Sequence, residues 1–255
     1  MKPSRRVLIA GGVAGGGSCA ARLRRLDESL EIVVFDRGPY VSFANCGLPY
    51  YVGGVIQEEK KLLLASPELF RERFNIDVRT HHNVLAIDRA ARAILVQNTL
   101  TGATSNEPYD VLVLSPGAAP LRPPLAGLDL PGVFSLRTIP DSRQIREWLE
   151  TRNVERAAVI GGGFIGLEMA ENLAHRGLKV SLIEAAPQVM PPLDPEMASY
   201  VESHLRAKGV DLHLNDPLAA AEPSGSGLRV ITQSGAAVEA GIVIFPIGVR
   251  PESDL

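Results

Sequence analysis

The stretch Ala157-Ala158-Val159-Ile160-Gly161-Gly162-Gly163-Phe164-Ile165-Gly166 decides the fold of this chain. An apolar run enters a G-x-G-x-x-G turn made by Gly161, Gly163 and Gly166. The run reads as a buried strand, and the turn delivers the bare N–H groups of a helix start toward a bound anion. Side chains in that turn would stand where a pyrophosphate has to lie. A helix pattern follows with Leu167, Met169, Ala170 and Leu173, and the run Val180-Ser181-Leu182-Ile183 then ends at Glu184. Strand, glycine turn, helix, strand and acid form one βαβ nucleotide-binding unit.

The same device stands near the N-terminus. Val7 to Ala10 leads into Gly11-Gly12-Val13-Ala14-Gly15-Gly16, and a helical pattern sets Ala20, Leu23 and Leu26 on one side and arginines on the other. Ile32 to Phe35 then closes on Asp36, twenty residues after Gly16, where an acid reaches a ribose hydroxyl. Val13 fills the place of the middle glycine, so this copy alone is weak, because glycine turns also serve plain packing. Beside the complete second copy it reads as a second nucleotide site. The two units start about 150 residues apart and imply two dinucleotides. Glu184 accepts from a free ribose 2′-hydroxyl and repels a 2′-phosphate. Ala185 and Ala186 follow it with no arginine to hold that phosphate, which favours NADH over NADPH.

Between the copies, Val84 to Ile87 and Ile94 to Gln97 read as a hairpin or meander, and Tyr109 to Leu114 as a strand returning to the first sheet. Four prolines mark residues 120–132 as a linker. Leu228 to Thr232 and Ile242 to Ile247 read as strands that complete the second unit. The expected class is α/β, with two Rossmann-like three-layer dinucleotide-binding domains at 1–119 and 133–250. Residues 251–255 begin a return toward the first.

At 255 residues, 45% hydrophobic and 22% charged, the chain reads as a soluble globular protein with room for two domains. A net charge of −3 argues against nucleic acid as a partner. Ser4-Arg5-Arg6 superficially resembles a twin-arginine export signal, but the apolar run after it breaks within four residues. A secretory core needs roughly 7–15. No window is long enough to span a membrane. Two cysteines, Cys19 and Cys46, make no disulfide framework and fit a reducing, cytoplasmic setting. His81-His82, His175, His204 and His213 lack ligand spacing, so no metal site is expected. Lys60-Lys61 reads as a solvated loop pair. Glu168 and Glu171 flank the second glycine turn; Glu171 either approaches the nicotinamide side or serves helix packing.

Cys46, in Ser42-Phe43-Ala44-Asn45-Cys46-Gly47-Leu48-Pro49-Tyr50-Tyr51, lies ten residues beyond Asp36 with no second cysteine nearby. A thiol beside a nucleotide site points to redox chemistry that draws its second sulfur, or an oxygen, from elsewhere. These residues, with Gly11-x-Val13-x-x-Gly16, Ser115-Pro116-Gly117-Ala118 and Gly161 to Glu171, resemble the flavin-dependent pyridine nucleotide–disulfide oxidoreductases, and among them the coenzyme A-disulfide reductases. The resemblance covers essentially the whole chain.

It implies that Gly11, Val13, Ala14, Gly16, Asp36, Arg37, Val84, Ser115 and Gly117 hold FAD. It also implies that Gly161, Gly163, Phe164, Ile165, Gly166, Glu184 and Gly248 hold NADH. Electrons would run from NADH through FAD to a mixed disulfide between Cys46 and coenzyme A. Disulfide exchange of this kind needs a Cys46 thiolate. Many relatives carry Cys-x-x-x-x-Cys, whereas Tyr51 stands five after Cys46, which excludes an internal disulfide unless Cys19 reaches in. Cys19 reads as a small buried thiol. Ser42 and Asn45 match positions at the substrate thiol, and Ser18, Arg22 and Arg25 match positions that hold the ADP part of coenzyme A. Those arginines also read as a solvated helix face. A basic position of some relatives is Phe74 here, with Arg71 and Arg73 beside it.

Three rivals remain. An NADH oxidase or peroxidase would cycle Cys46 through a sulfenic acid, but peroxidase relatives place a histidine where Ala14 stands. A persulfide or polysulfide reductase would use the same cysteine and pocket. A non-catalytic, nucleotide-binding fragment is the third, because the family continues into a further FAD-contacting segment and a dimerisation domain. On that view the full-length form is a homodimer, while the 255-residue chain binds NADH better than FAD and can be inactive alone.

Overall fold

The computed structural model describes residues 4–225 and 227–255; the first three residues of the expected first domain lie outside it. Two compact units form. One comprises Met1–Ala44, Lys60–Ala118 and Pro251–Leu255, and the other Asn45–Glu59 and Ala119–Arg250. The segment carrying Cys46 therefore clusters with the later part of the chain.

In chain order the first unit contributes β1 (Arg6–Ala10), α1 (Gly15–Leu26) and β2 (Glu31–Phe35). After α2 (Leu48–Gly53), which belongs to the other unit, come α3 (Pro67–Phe74), β3 (Asp77–Arg79), β4 (His82–Asp88), β5 (Ala93–Asn98), β6 (Thr104–Pro108) and β7 (Val111–Leu114). The parallel sheet has the order β3-β2-β1-β7, and β4-β5-β6 is an antiparallel meander. Alternation along the strands makes three layers. Val7, Ile9, Ile32 and Val34 pack with Ala20 of α1 and Phe70 of α3, whereas Leu8, Ala10, Val33 and Phe35 pack with Val84, Ile94 and Val96 of the meander. Strands buried on both faces are continuously apolar for this reason.

Between β8 (Ala118–Pro120) and β9 (Val133–Phe134) the proline-rich segment packs closely. Leu128 is buried, and a Cβ on Gly127 would lie 1.8 Å from the Ala221 carbonyl oxygen. The second unit continues with α4 (Ile139–Thr151), β10 (Arg156–Ile160), α5 (Phe164–His175), β11 (Lys179–Ile183), α6 (Pro195–Ala207) and β12 (Asp211–His213). It ends with β13 (Leu218–Ser224), β14 (Gly227–Thr232), β15 (Ala237–Ala240) and β16 (Ile242–Ile244); β17 (Val249–Pro251), its last residue counted in the first unit, follows. Its parallel sheet has the order β12-β11-β10-β16-β9, and β13-β14-β15 is again an antiparallel meander. The duplication thus extends past the glycine turns. In both units a further parallel strand, β7 or β16, follows the meander and pairs with β1 or β10.

One helix differs from its sequence pattern. Leu26 is 64% exposed, and Arg24 is buried at 8%. Leu26 lies six residues past Ala20, which turns it to the far side of α1, while Arg24 at four residues shares the buried face. The Arg24 guanidinium donates to the carbonyls of Phe74 (2.8 Å), Asn75 (2.7 Å) and Glu28 (2.6 Å). Those of Phe74 and Asn75 sit at the end of α3, where a cation is favoured. Among the described residues no helix is long and apolar enough to cross a membrane.

Candidate functional site

In the first unit β1 ends at Gly11, whose φ of +94° suits glycine. A Cβ there would lie 2.0 Å from the Ser115 carbonyl oxygen, and one on Gly16 would lie 1.7 Å from that of Gly11. The two glycines let α1 seat directly on the turn. Ala14, its N-cap, supplies no side-chain hydrogen bond, so the first N–H groups of α1 have no side-chain cap. Asp36 is buried at the end of β2, its carboxylate accepting from the N–H groups of Gly12 (2.8 Å) and Gly38 (2.9 Å). Burial pushes this carboxyl up against the pull of both hydrogen bonds. Val13 is half-buried, Ser115 Oγ is 3.2 Å from where a Gly15 Cβ would lie, and Gly117 has φ +77°. Val84 sits in the core, and Arg37 pairs with Glu252 at 2.6 Å.

The second unit repeats this construction. Gly161 has φ +113°, and a Cβ on Gly166 would lie 1.9 Å from its carbonyl oxygen. Glu184 accepts from Gly162 (2.5 Å) and Ala186 (2.7 Å), as Asp36 does from the equivalent positions. Each acid braces its glycine turn as well as ending its strand. Gly163, the N-cap of α5, has no atom within 4 Å of where a Cβ would point, which leaves room for a phosphate. Phe164 is 66% exposed beside it, Ile165 is half-buried, and Gly248 has φ +129°. Both turns suit a dinucleotide: close packing fixes the turn, the helix start carries no side-chain cap, and a held carboxylate stands at ribose distance along the chain.

Cys46 is exposed, on a single 3-10 turn (Asn45–Gly47) that runs into α2. Several groups fasten α2 within the second unit. A Cβ on Gly53 would lie 2.1 Å from Asn172 Oδ1, and Arg176 donates to the Val52 carbonyl at 2.8 Å. Arg146 stacks on the Tyr51 ring at 4.7 Å and donates to the Gln57 carbonyl at 3.0 Å. Arg143 grips Glu59 through two bonds of 2.7 and 2.8 Å. Tyr51, in the place of a second cysteine, is buried beneath Arg146. Cys19 is a free, half-buried thiol packed on the first unit's core.

Tyr50 is half-buried on α2. Glu168, then burial, Glu171 and Cys46 push its hydroxyl up. The Glu168 carboxyl is itself pushed up by burial and then by Glu171. Of the expected substrate residues, Ser18, Arg22 and Arg25 are exposed on α1. Ser42, at φ +45°, donates its N–H to the Gly12 carbonyl in the same unit. Asn45 is half-buried beside Cys46 in the other. Arg71 and Arg73 are exposed on α3, with Arg73 over the Phe74 ring. Among the described residues no group of three or more His, Cys, Asp and Glu is arranged to hold a metal ion. Arg24, Asn172, Arg146 and Arg176 went unread in the sequence, since nothing local marks which polar residues meet across helices.

Residues 5–255 match the family model of the pyridine nucleotide-disulphide oxidoreductases. The coenzyme A disulfide reductase of Staphylococcus haemolyticus (strain JCSC1435) is 34% identical over 249 residues, covering 98% of this chain and 55% of that protein. The chain therefore spans about half the length of the curated relatives it matches. Reduced Bacillus anthracis CoADR-RHD superposes with a TM-score of 0.96 at 48% identity, over 99% of this chain and 45% of that one. A NAD-dependent persulfide reductase from A. fulgidus gives 0.93 at 36%, over 98% and 47%.

Proposed function

The chain belongs to the pyridine nucleotide-disulphide oxidoreductase family, and on that premise we propose that it carries electrons from NADH through FAD to Cys46 for the reduction of coenzyme A disulfide. The observation that carries the reading is the duplicated, acid-braced glycine turn, one per unit, together with one exposed thiol. Bound FAD would take up hydride from NADH and release electrons to sulfur. Gly11, Val13, Ala14, Gly16, Asp36, Arg37, Val84, Ser115 and Gly117 are its proposed holders. Gly161, Gly163, Phe164, Ile165, Gly166, Glu184 and Gly248 are those of NADH.

Glu184 favours NADH, because both its oxygens are anchored by backbone N–H groups and cannot swing away from a 2′-phosphate. Cys46 attacks one sulfur of the substrate, keeps half as a mixed disulfide and releases the other half as a thiol. Tyr51 cannot supply a second sulfur, so the exchange uses the substrate's own. Ser42 and Asn45 are proposed to flank the thiol end of coenzyme A, and Ser18, Arg22 and Arg25 to hold its phosphates by charge-assisted bonds. The intact enzyme is proposed to be a cytoplasmic homodimer.

The test is anaerobic NADH titration of the intact protein followed by mass analysis of the Cys46 peptide. A coenzyme A adduct on the oxidised enzyme, and loss of coenzyme A disulfide turnover in Cys46→Ser, are expected. A persulfide adduct transfers the reading to the persulfide reductases, which the A. fulgidus similarity favours. Full turnover in Cys46→Ser ends both.

A further inference from the structure

The segment that carries Cys46 has little of its own to hold its shape. Cys46 stands on a single 3-10 turn, and α2 after it has only six residues, Leu48–Gly53. A helix this short does not persist in water by propensity alone. Its N-cap, Gly47, makes no side-chain hydrogen bond. At the far end Gly54, with φ +82°, turns the chain back, and the Ile56 N–H donates to the Tyr50 carbonyl at 3.0 Å. What fixes α2, and with it the thiol, is its packing on α4 and α5.

Arg146 of α4 holds both the helix and the returning chain. Its guanidinium lies 4.7 Å from the centre of the buried Tyr51 ring. The same group donates to the Gln57 carbonyl at 3.0 Å and to that of Ile56 at 3.5 Å. Glu150, one turn further along α4, accepts from its Nε at 2.7 Å and steadies the fork. Arg143 and Arg176 grip other points, Glu59 beyond the turn and the Val52 carbonyl. Tyr51 lies five residues past Cys46, which on a helical path turns the two to nearly opposite sides. The ring is accordingly buried and the thiol exposed.

A thiolate attacks a disulfide along the S–S axis, so the sulfur has to be placed as well as ionised. We propose that Arg146 is a positioning residue for Cys46, acting through Tyr51. This rests on Cys46 being the disulfide-exchanging thiol. Arg146 touches no reacting atom. It bears on the Tyr51 ring and ties the return of the chain to α4, which sets the height and rotation of α2; the thiol follows. Tyr51 thus does more than leave out a second sulfur, because its ring is the surface on which the cation rests.

The test uses Arg146→Ala, Arg146→Lys, Tyr51→Leu and Tyr51→Phe in the intact enzyme. Coenzyme A disulfide turnover is divided by NADH-to-dye reduction of the same variant, and alkylation of Cys46 by iodoacetamide is timed by mass analysis. In Arg146→Ala the ratio should fall about ten- to a hundredfold, in kcat more than in KM, as for a reacting group about 1 Å out of place. Alkylation by a small reagent needs no fixed axis and should keep near the parent rate. Tyr51→Leu falls likewise, and the two changes together cost no more than either alone, the mark of one brace. Tyr51→Phe, which keeps the ring face, rescues the ratio. Arg146→Lys lies between, since an ammonium cannot cover the ring and reach the carbonyls as a planar fork does. An unchanged ratio in Arg146→Ala overturns the proposal, and so does a fall of dye reduction in step with turnover, which marks general loss of structure. Where the alanine variant does not fold, Arg146→Lys and Tyr51→Leu decide by the same criterion. Cys46→Ser runs beside them. Should it retain disulfide turnover, the functional reading fails; should it be dead while Arg146→Ala keeps the parent ratio, only the positioning role fails.

Discussion

Arg24 shares a short basic stretch with Arg22 and Arg25, yet its guanidinium alone of the three is buried, against three backbone carbonyls. Arg24→Ala leaves those carbonyls without their donor, and we expect a loss of about 2–3 kcal/mol. The urea midpoint should fall at an unchanged slope; an unmoved midpoint would show that the guanidinium does not hold α3. Arg24→Lys should fall between, since an ammonium cannot match the planar fork. Glu184 is the second residue with a specific expectation. Glu184→Ala combined with Ala185→Arg removes a repelling carboxylate and supplies a phosphate partner. The ratio of NADPH to NADH affinity should rise by at least roughly thirtyfold, about 2 kcal/mol for one charge-assisted bond. Affinity for both nucleotides should drop, because Gly162 and Ala186 lose their acceptor. A ratio that stays put in paired titrations would remove Glu184 as the selector.

At the scale of elements, the glycines of the second turn do different work. Gly166→Ala would put a methyl 1.9 Å from the Gly161 carbonyl oxygen, so α5 must lift off its turn. The cost should be about 3 kcal/mol. Gly163→Ala meets no atom within 4 Å and has an ordinary φ of −78°. Its melting temperature should match the parent while NADH binding weakens, since the methyl points where phosphate belongs. Equal stability losses in the two variants would refute this division. The division also accounts for Val13. The first turn retains the packing pair, Gly11 and Gly16, and dispenses with glycine only at the middle position. The central parallel strands β1, β2, β10, β11 and β16 were legible because residues buried on two faces must be apolar throughout, whereas the short edge strands β3, β9 and β12 went unread. The 120–132 segment was not, since prolines mark an irregular path whether it is free or, as around Gly127 and Leu128, packed.

For the whole molecule, the assignment of Asn45–Glu59 to the second unit is the main result beyond the two nucleotide turns. Denaturant-dependent hydrogen exchange should open the amides of Tyr51 to Gly53 with the same free energy as those of α5, and not with those of β1. Opening together with β1 would return the segment to the first unit. The sequence by itself determined the two βαβ units, their glycine turns, their acids and the lone thiol. Each is a local pattern of strand, turn and helix, enforced by backbone stereochemistry and burial over some thirty residues. Only the tertiary structure decided which unit owns Cys46 and which arginine is buried. Those outcomes depend on how helix faces far apart in the chain fit together. Many weak contacts sum there, and no short stretch of sequence contains the sum.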